Sequence, residues 1–433
     1  MSNIYRYFII LILLSNCSLD TKSGIWTKEK NIVLEKDNRT NVFADQKQLS
    51  NEFNSNLEIK LSTKLTSNSF ANELTNNNNR VNYNGKLKKI SKFKFSKIHN
   101  FDYHEPELIF EKDNLIFFDN KGSIIKFDPN SKIIWKKNYY KKEEKKIKPI
   151  LIFGKDLDKL IVADNISKYY ALDIRTGDLL WSKYNSSPFN SKIKVYKDKF
   201  FVIDFNNVLR CFSTKDGKEL WNVKASNTFI KSDKKLSIVV VGNALYFSNS
   251  TGDITAVDIE NGNMLWQIPT QNSTIYENTF LLKTSKIVSN NKILIFSNNN
   301  NEFYSINLKT GSLNWKQNIN SSLQSSIIND LIFSITNEGY LVIIDSKEGK
   351  IIRITNIFNL IKEKKRKKIQ PVGFIVAKKN IYLTTDHGRL LVIDITSGKT
   401  KTILKIDNNK ISKPFIINEN LFLIKEDSII RLN

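Results

Sequence analysis

The chain has 433 residues, 67 Lys and Arg against 43 Asp and Glu, and a formal net charge of +24. Its 40% hydrophobic content is enough for a sizeable core, and a repeat fold absorbs this length as one unit. Two cysteines and three dispersed histidines exclude a disulfide framework and a structural zinc site. The lysines are scattered in a Lys-, Asn- and Ile-rich background, so the charge reads as compositional bias and no nucleic-acid partner is expected.

The N-terminus comes first in chain order. Arg6 precedes an apolar run, Tyr7–Leu14, that is too short to span a bilayer, and Leu14-Ser15-Asn16-Cys17 follows. This resembles a bacterial lipoprotein signal peptide, with residues 1–16 removed and Cys17 acylated. Such an anchor holds a protein on a membrane surface without crossing it. Ser18, with no Asp after the cysteine, implies sorting to the outer membrane by the same resemblance.

Residues 17–83 are polar and Asn/Ser/Thr-rich, with Asn76–Asn79 at the extreme and Trp26 as their one tryptophan. No sustained period of 2 or 3.6 runs through them. They read as a tether of little fixed structure.

From residue 84 onward the chain repeats. Five segments share an apolar strand, a polar turn and a strand ending in Trp: Ile124–Trp135, Tyr169–Trp181, Leu209–Trp221, Ile254–Trp266 and Phe303–Trp315. Leu341–Arg353 and Leu390–Thr402 keep the frame without Trp. The spacings are 46, 40, 45, 49, 38 and 49 residues, the length of a four-stranded propeller blade. Each turn opens on Asp128, Asp173, Ser213, Asp258, Asn307, Asp345 or Asp394, side chains that accept backbone N–H bonds in Asx- and ST-type turns. Four positions later stands Gly177, Gly217, Gly262, Gly311, Gly349 or Gly398, where a hairpin loop needs φ > 0. The first turn is one residue shorter and uses Pro129 and Asn130. The Trp four residues after Gly is expected to pack on the neighbouring blade.

Another apolar run precedes each unit, as in Leu160–Asp164 and Phe200–Asp204, and further runs lie upstream, giving four strands per blade. Cys211 falls in such a run and reads as a buried small hydrophobe. Seven units are complete. Leu421–Ile424 and Ser428–Leu432 supply a second and third strand, and Asn84–Lys94 reads as the missing outer strand. The expected fold is therefore all-β: an eight-bladed β-propeller over 84–433, its eighth blade closed by N- and C-terminal strands.

The pattern, closest at Ala171–Trp181 (ALDIRTGDLLW), resembles the repeat of quinoprotein-type eight-bladed propellers. With the leader and the length, the chain is similar to the BamB family, lipoproteins of the outer-membrane β-barrel assembly machinery. The resemblance implies a scaffold on the periplasmic face of the outer membrane. It would dock on the periplasmic domains of BamA, with unfolded outer-membrane proteins as further partners and no cofactor. It also implies an aliphatic–basic contact in the loop after one blade's Trp, matched here by Phe229-Ile230-Lys231. The family's acidic pair in the next blade's loop has no counterpart: Leu281, Leu282, Lys283, Thr284, Ser285 and Lys286 stand there.

Two other classes share this repeat or this charge. A pyrroloquinoline quinone dehydrogenase would carry a vicinal cysteine pair and calcium ligands beside a catalytic Asp; this chain has no adjacent cysteines, and its repeat Asp residues read as turn acceptors. A propeller binding anionic polysaccharide or lipid would use the basic loops Lys141–Lys148 and Lys362–Lys368.

Overall fold

The computed structural model describes residues 49, 51–62, 64–67, 69, 76–225, 231–232, 234–270, 284–298 and 301–433. These include eight four-stranded antiparallel sheets. Blade 1 is Ile109–Glu111, Asn114–Phe118, Ile124–Phe127 and Ile133–Lys137, hydrogen-bonded in chain order. Blades 2 to 7 repeat that meander over residues 151–184, 194–224, 238–268, 288–317, 326–356 and 371–405. Blade 8 joins Phe415–Ile417, Asn420–Ile424 and Ser428–Leu432 to Lys89–Lys94, which pairs antiparallel with Ser428–Leu432. The terminal strands thus close the ring as expected. The first strand, Phe415–Ile417, escaped the sequence reading because three residues are too few to show a period.

A meander fixes two faces. The turns between strands 1 and 2 and between 3 and 4 lie on one, the turn face. The turns between strands 2 and 3 and the blade-to-blade crossovers lie on the other, the crossover face.

The turn residues do what their chemistry predicts. Asp173 Oδ1 accepts the N–H groups of Arg175 (2.8 Å) and Thr176 (2.9 Å), and Asp258, Asn307 and Asp345 each accept the equivalent two. Asp128, Ser213 and Asp394 accept at least one such bond. The following glycines have φ between 68° and 78°. Gly349 is required twice over, because a Cβ there would lie 2.5 Å from Trp315 Cδ2 of the preceding blade. Each Trp slides beneath the next blade's turn. The indole N–H groups of Trp135, Trp266 and Trp315 donate to the carbonyls of Arg175 (2.8 Å), Leu308 (3.3 Å) and Ser346 (3.1 Å).

The bulge before Trp departs from simple alternation. In blades 1 to 7 the pairing of strands 3 and 4 slips by one residue, as between Ala171↔Trp181 and Leu172↔Leu179. A bulge puts two consecutive side chains opposite one and breaks the alternation of faces. Leu179 and Leu180 are accordingly both exposed.

Two stretches within the expected tether make contacts with the ring. Phe53 exchanges both backbone hydrogen bonds with Ile354 (3.1 and 2.8 Å), a single antiparallel bridge on the outer edge of blade 6. The Ile59 N–H donates to Thr396 O (3.0 Å), and its side chain is buried between blades 6 and 7. Farther on, Ser289 and Ile327 donate N–H groups to the carbonyls of Asn76 (2.8 Å) and Asn77 (2.9 Å), and Val81 and Tyr83 are buried against blades 7 and 8. The reason is geometric. The first strand of every blade faces the central channel with no neighbour, and this polar segment satisfies part of that edge. Cys17 and Trp26 lie outside the described residues. Cys211 is fully buried, and burial pushes its thiol up to about 12.

Candidate functional site: the channel and the crossover face

The crossover from blade 8 to blade 1 has to run from the rim to the axis. It does so through a single 3-10 turn, Phe101–Tyr103, and then His104–Glu107. This places Glu105 and Glu107 in the channel. Lys286, from the crossover into blade 5, pairs with Glu105 at 2.9 Å and lies 3.8 Å from Glu107. Lys192, from the crossover into blade 3, pairs with Glu107. Lys235 donates to Phe189 O (3.3 Å) and Lys155 to Phe110 O (3.0 Å), while Lys234 reaches Ser322 O and Lys410 reaches Asp102 O.

These groups set one another's titration. Burial alone would raise the Glu105 carboxyl, but Lys286 and Lys234 overcome it and hold it far below the usual carboxylate range. Burial pushes Lys235 down to about 8, with Glu105 and Glu107 opposing. Burial, then Lys235 and Lys410, brings His104 to about 4, so the imidazole is neutral at pH 7.

The channel is a string of cavities that share lining residues. A cavity of about 730 Å³ opens at the crossover face, lined by Tyr103, Lys234, Lys235, Asn337, His387 and Lys410 among others. Deeper lies one of about 120 Å³ among Glu107, Phe153, Lys155, Lys192, Lys194 and Lys286, with Asn76 in its wall. Among the described residues no group of three or more His, Cys, Asp or Glu side chains is placed to hold a metal ion.

The residues singled out on the crossover face are only partly brought into view. Lys231 is exposed there and donates to Asn206 Oδ1 (3.0 Å) in the blade 3 turn. Phe229, Ile230, Leu282 and Lys283 lie outside the described residues. Lys286 turns inward to the channel carboxylates. Sequence reasoning had no signal for that pairing, because Lys286 and Glu105 are distant in sequence. The basic loops form single helical turns, Lys142–Lys146 and Glu363–Arg366. In the first, Glu144 accepts bonds from Lys141 N–H and Tyr184 O–H, both 2.6 Å. In the second, Arg366 is taken up by the carbonyls of Ile361 (2.7 Å) and Asn359 (3.0 Å).

The rim carries a third feature that the sequence reading missed. Ile133 and Ile134, Leu179 and Leu180, Leu220, Met264 and Leu265, and Leu313 are all exposed on the outer strands of blades 1 to 5. They lie along outer strands that, among the described residues, carry no further strand in the sheet order.

Fold and repeat together define an eight-bladed propeller of the PQQ-repeat class. A family model described as "Outer membrane protein assembly factor BamB" matches residues 120–355, more than half of the chain, and the chain belongs to that family. Proteins of that name are 23% identical in Shewanella oneidensis over 268 residues (55% of this chain, 62% of that one) and 24% identical in Legionella pneumophila over 164 residues (36% and 37%). The matched stretch is less than two thirds of either relative's length. Among solved structures, BamB from Moraxella catarrhalis superposes with a TM-score of 0.65 at 15% identity, over 80% of this chain and 99% of that one. A europium-containing methanol dehydrogenase gives 0.61 at 11% identity, over 81% and 88%. At these identities the structures speak for the fold alone.

Proposed function

We propose that this chain is a non-catalytic scaffold of the outer-membrane protein assembly machinery. Acyl chains on Cys17 hold it at the periplasmic face of the outer membrane. Its crossover face, around Lys231, docks on the periplasmic domains of BamA. Its rim holds extended segments of unfolded β-barrel proteins while they fold and insert. Membership of the BamB family supports the assembly role.

The observation that carries the reading is the aliphatic rim. Open strand edges pair readily with another extended chain, and exposed apolar patches mark interaction surfaces. Strands of outer-membrane barrels alternate apolar and polar residues, so an aliphatic edge suits them. The Phe53↔Ile354 bridge on blade 6 gives the geometry, with an extended segment paired to an outer strand. The repeat carboxylates are engaged by their own turns, and the channel is partly filled by residues 76–78 and 104–107, which favours a scaffold over a dehydrogenase.

The test is affinity purification of the tagged full chain from its native membrane, with a photo-crosslinking residue at Leu180 or Leu265. A barrel protein bearing periplasmic repeat domains should co-purify, and the rim positions should trap unfolded outer-membrane proteins. Absence of the barrel protein in mild detergent, or quinone-dependent dehydrogenase turnover, would overturn the reading.

A further inference from the structure

One sector of the crossover face combines basic loops with exposed apolar tips. The crossovers 6-to-7, 7-to-8, 8-to-1 and 1-to-2 follow one another around the ring, and the 3-to-4 crossover with Lys231 lies on the far side. Residues 138–150 carry five lysines and two glutamates, and residues 357–370 carry five lysines, one arginine and one glutamate. Lys142, Lys146 and Lys148 on the first loop and Lys364, Lys365 and Lys368 on the second are exposed, and none of them forms an ion pair among the described residues. Three large apolar side chains stand out of the same sector: Leu360 (56% exposed), Tyr103 (77%) and Ile147 (61%). Ile147 follows the helical turn Lys142–Lys146, Leu360 precedes the turn Glu363–Arg366, and Tyr103 ends the 3-10 turn Phe101–Tyr103. Both basic loops are held in shape from within. Glu144 takes the Tyr184 O–H and the Lys141 N–H, and Arg366 gives its guanidinium to the carbonyls of Ile361 and Asn359.

We propose that this sector is a membrane-contact surface that rests on anionic phospholipid headgroups. Charge alone would leave the loops solvated. The apolar tips among the lysines are the second observation, and together they have the make-up of a surface that lies in a lipid interface. There aliphatic side chains enter the headgroup boundary, a tyrosine ring sits at headgroup level, and lysine stems lie along apolar surface with their ammonium groups at the phosphates. The three tips belong to three separate crossovers, so a flat layer meets them together more readily than one peptide does. Anionic headgroups draw polybasic segments, and the attraction fades within a Debye length. The contact leaves the Lys231 side of the face open for docking. It depends on neither the assembly reading nor the acyl anchor, and each can fail alone.

The test is co-sedimentation of the full chain carrying Cys17→Ser, which can receive no acyl chain, with vesicles. One arm uses neutral phosphatidylcholine, and the other adds about one third anionic phosphatidylglycerol. Every arm carries the same N-terminus, so differences between variants report the loops. Binding to the anionic vesicles should exceed binding to the neutral ones by about tenfold or more and should fall steeply with added salt. Lys142→Gln/Lys146→Gln/Lys364→Gln/Lys365→Gln should remove about tenfold or more of the anionic binding at an unchanged melting temperature. Ile147→Ser/Leu360→Ser should weaken it by about threefold or more. Lys132→Gln/Lys215→Gln/Lys309→Gln/Lys399→Gln removes the same charge from exposed positions on the turn face and should change the binding little. Equal binding to both kinds of vesicle, or a turn-face variant that loses as much as the loop variant, would overturn the proposal. So would retention on heparin, a polyanion without lipid, with no preference for the anionic vesicles.

Discussion

The junction of blades 5 and 6 and the junction of blades 6 and 7 solve one packing problem in two ways. In the first, Trp315 stacks on Phe303 at an interplanar angle of 3°, donates to Ser346 O and lies under Gly349. In the second, Arg353 takes the Trp position. It is fully buried, and a Cβ on Gly398 would lie 2.7 Å from its Nη2. It donates to Leu57 O (2.8 Å) and to Thr396 O, while Nε and Nη2 find no hydrogen-bond partner within the described structure. A tryptophan locks two blades by shape and by one indole N–H given to a carbonyl of the next blade's own turn. An arginine there needs carbonyls to receive it, and one of these comes from the N-terminal segment. The segment's order and the lost tryptophan are thus one feature.

The largest expected effect breaks the tryptophan lock. Trp315→Ala should cost about 3–5 kcal/mol, the range for emptying a buried aromatic site, read as the shift of the urea midpoint at unchanged slope. Gly349→Ala attacks the same contact from the other side. It combines a φ of +74° with a Cβ pressed on the ring, so it should destabilise clearly more than a glycine replacement at a site compatible with a side chain.

Breaking the arginine lock should cost less. Arg353→Ala strands the Leu57 and Thr396 carbonyls and leaves a cavity, about 2–4 kcal/mol together. Arg353→Met should recover most of this, because a buried guanidinium with unsatisfied nitrogens is itself costly. Hydrogen exchange sharpens the comparison. Arg353→Ala should speed exchange at the Phe53 and Ile59 amides, whereas Trp315→Ala at equal denaturant distance should leave them slow relative to the blade 5 strands.

Titration separates the axis from a blade interior. In blade 2, burial raises the Asp164 carboxyl to about 6, although Tyr140 O–H and the N–H groups of Ile166 and Lys168 bond to it. The folded protein then binds this proton more readily than the unfolded chain, so Asp164 adds stability as pH falls from about 6 towards 4. His104 on the axis works the other way. Its folded value near 4 lies below the ordinary 6.5, so its contribution is present above 6.5 and is lost as pH falls through the same window. His104→Gln should leave stability rising more steeply from pH 7 to 5, and Asp164→Asn should leave it falling, both followed by melting temperature.

The turn chemistry, the glycines and the tryptophans were legible because each is local. Asp173 bonds two residues ahead, Gly177 sits four on, and the Trp repeats the frame. Arg353 was visible only as a missing Trp, since its partners Leu57 and Thr396 are distant in sequence. The Asn76–Asn78 stretch read as tether because polarity alone does not reveal the channel strand edges that bond to it. The meeting of Glu105 and Glu107 with Lys192 and Lys286 is likewise non-local. The exposed leucine pair was hidden by period-2 reasoning, which a bulge defeats.

That pair gives the smallest effect on stability and the sharpest contrast with the blade locks. Leu179→Ser/Leu180→Ser alters two exposed side chains on an outer strand, so the denaturation midpoint should move by no more than about 0.5 kcal/mol per substitution. The same change on blade 6, Ile351→Ser/Ile352→Ser, touches half-buried residues beside the Phe53 bridge and should cost more. If the rim leucines serve binding, cross-linking to unfolded outer-membrane proteins should fall with the blade 2 pair although stability does not. A midpoint shift as large as that of Arg353→Ala would instead make the belt part of the ring's own packing.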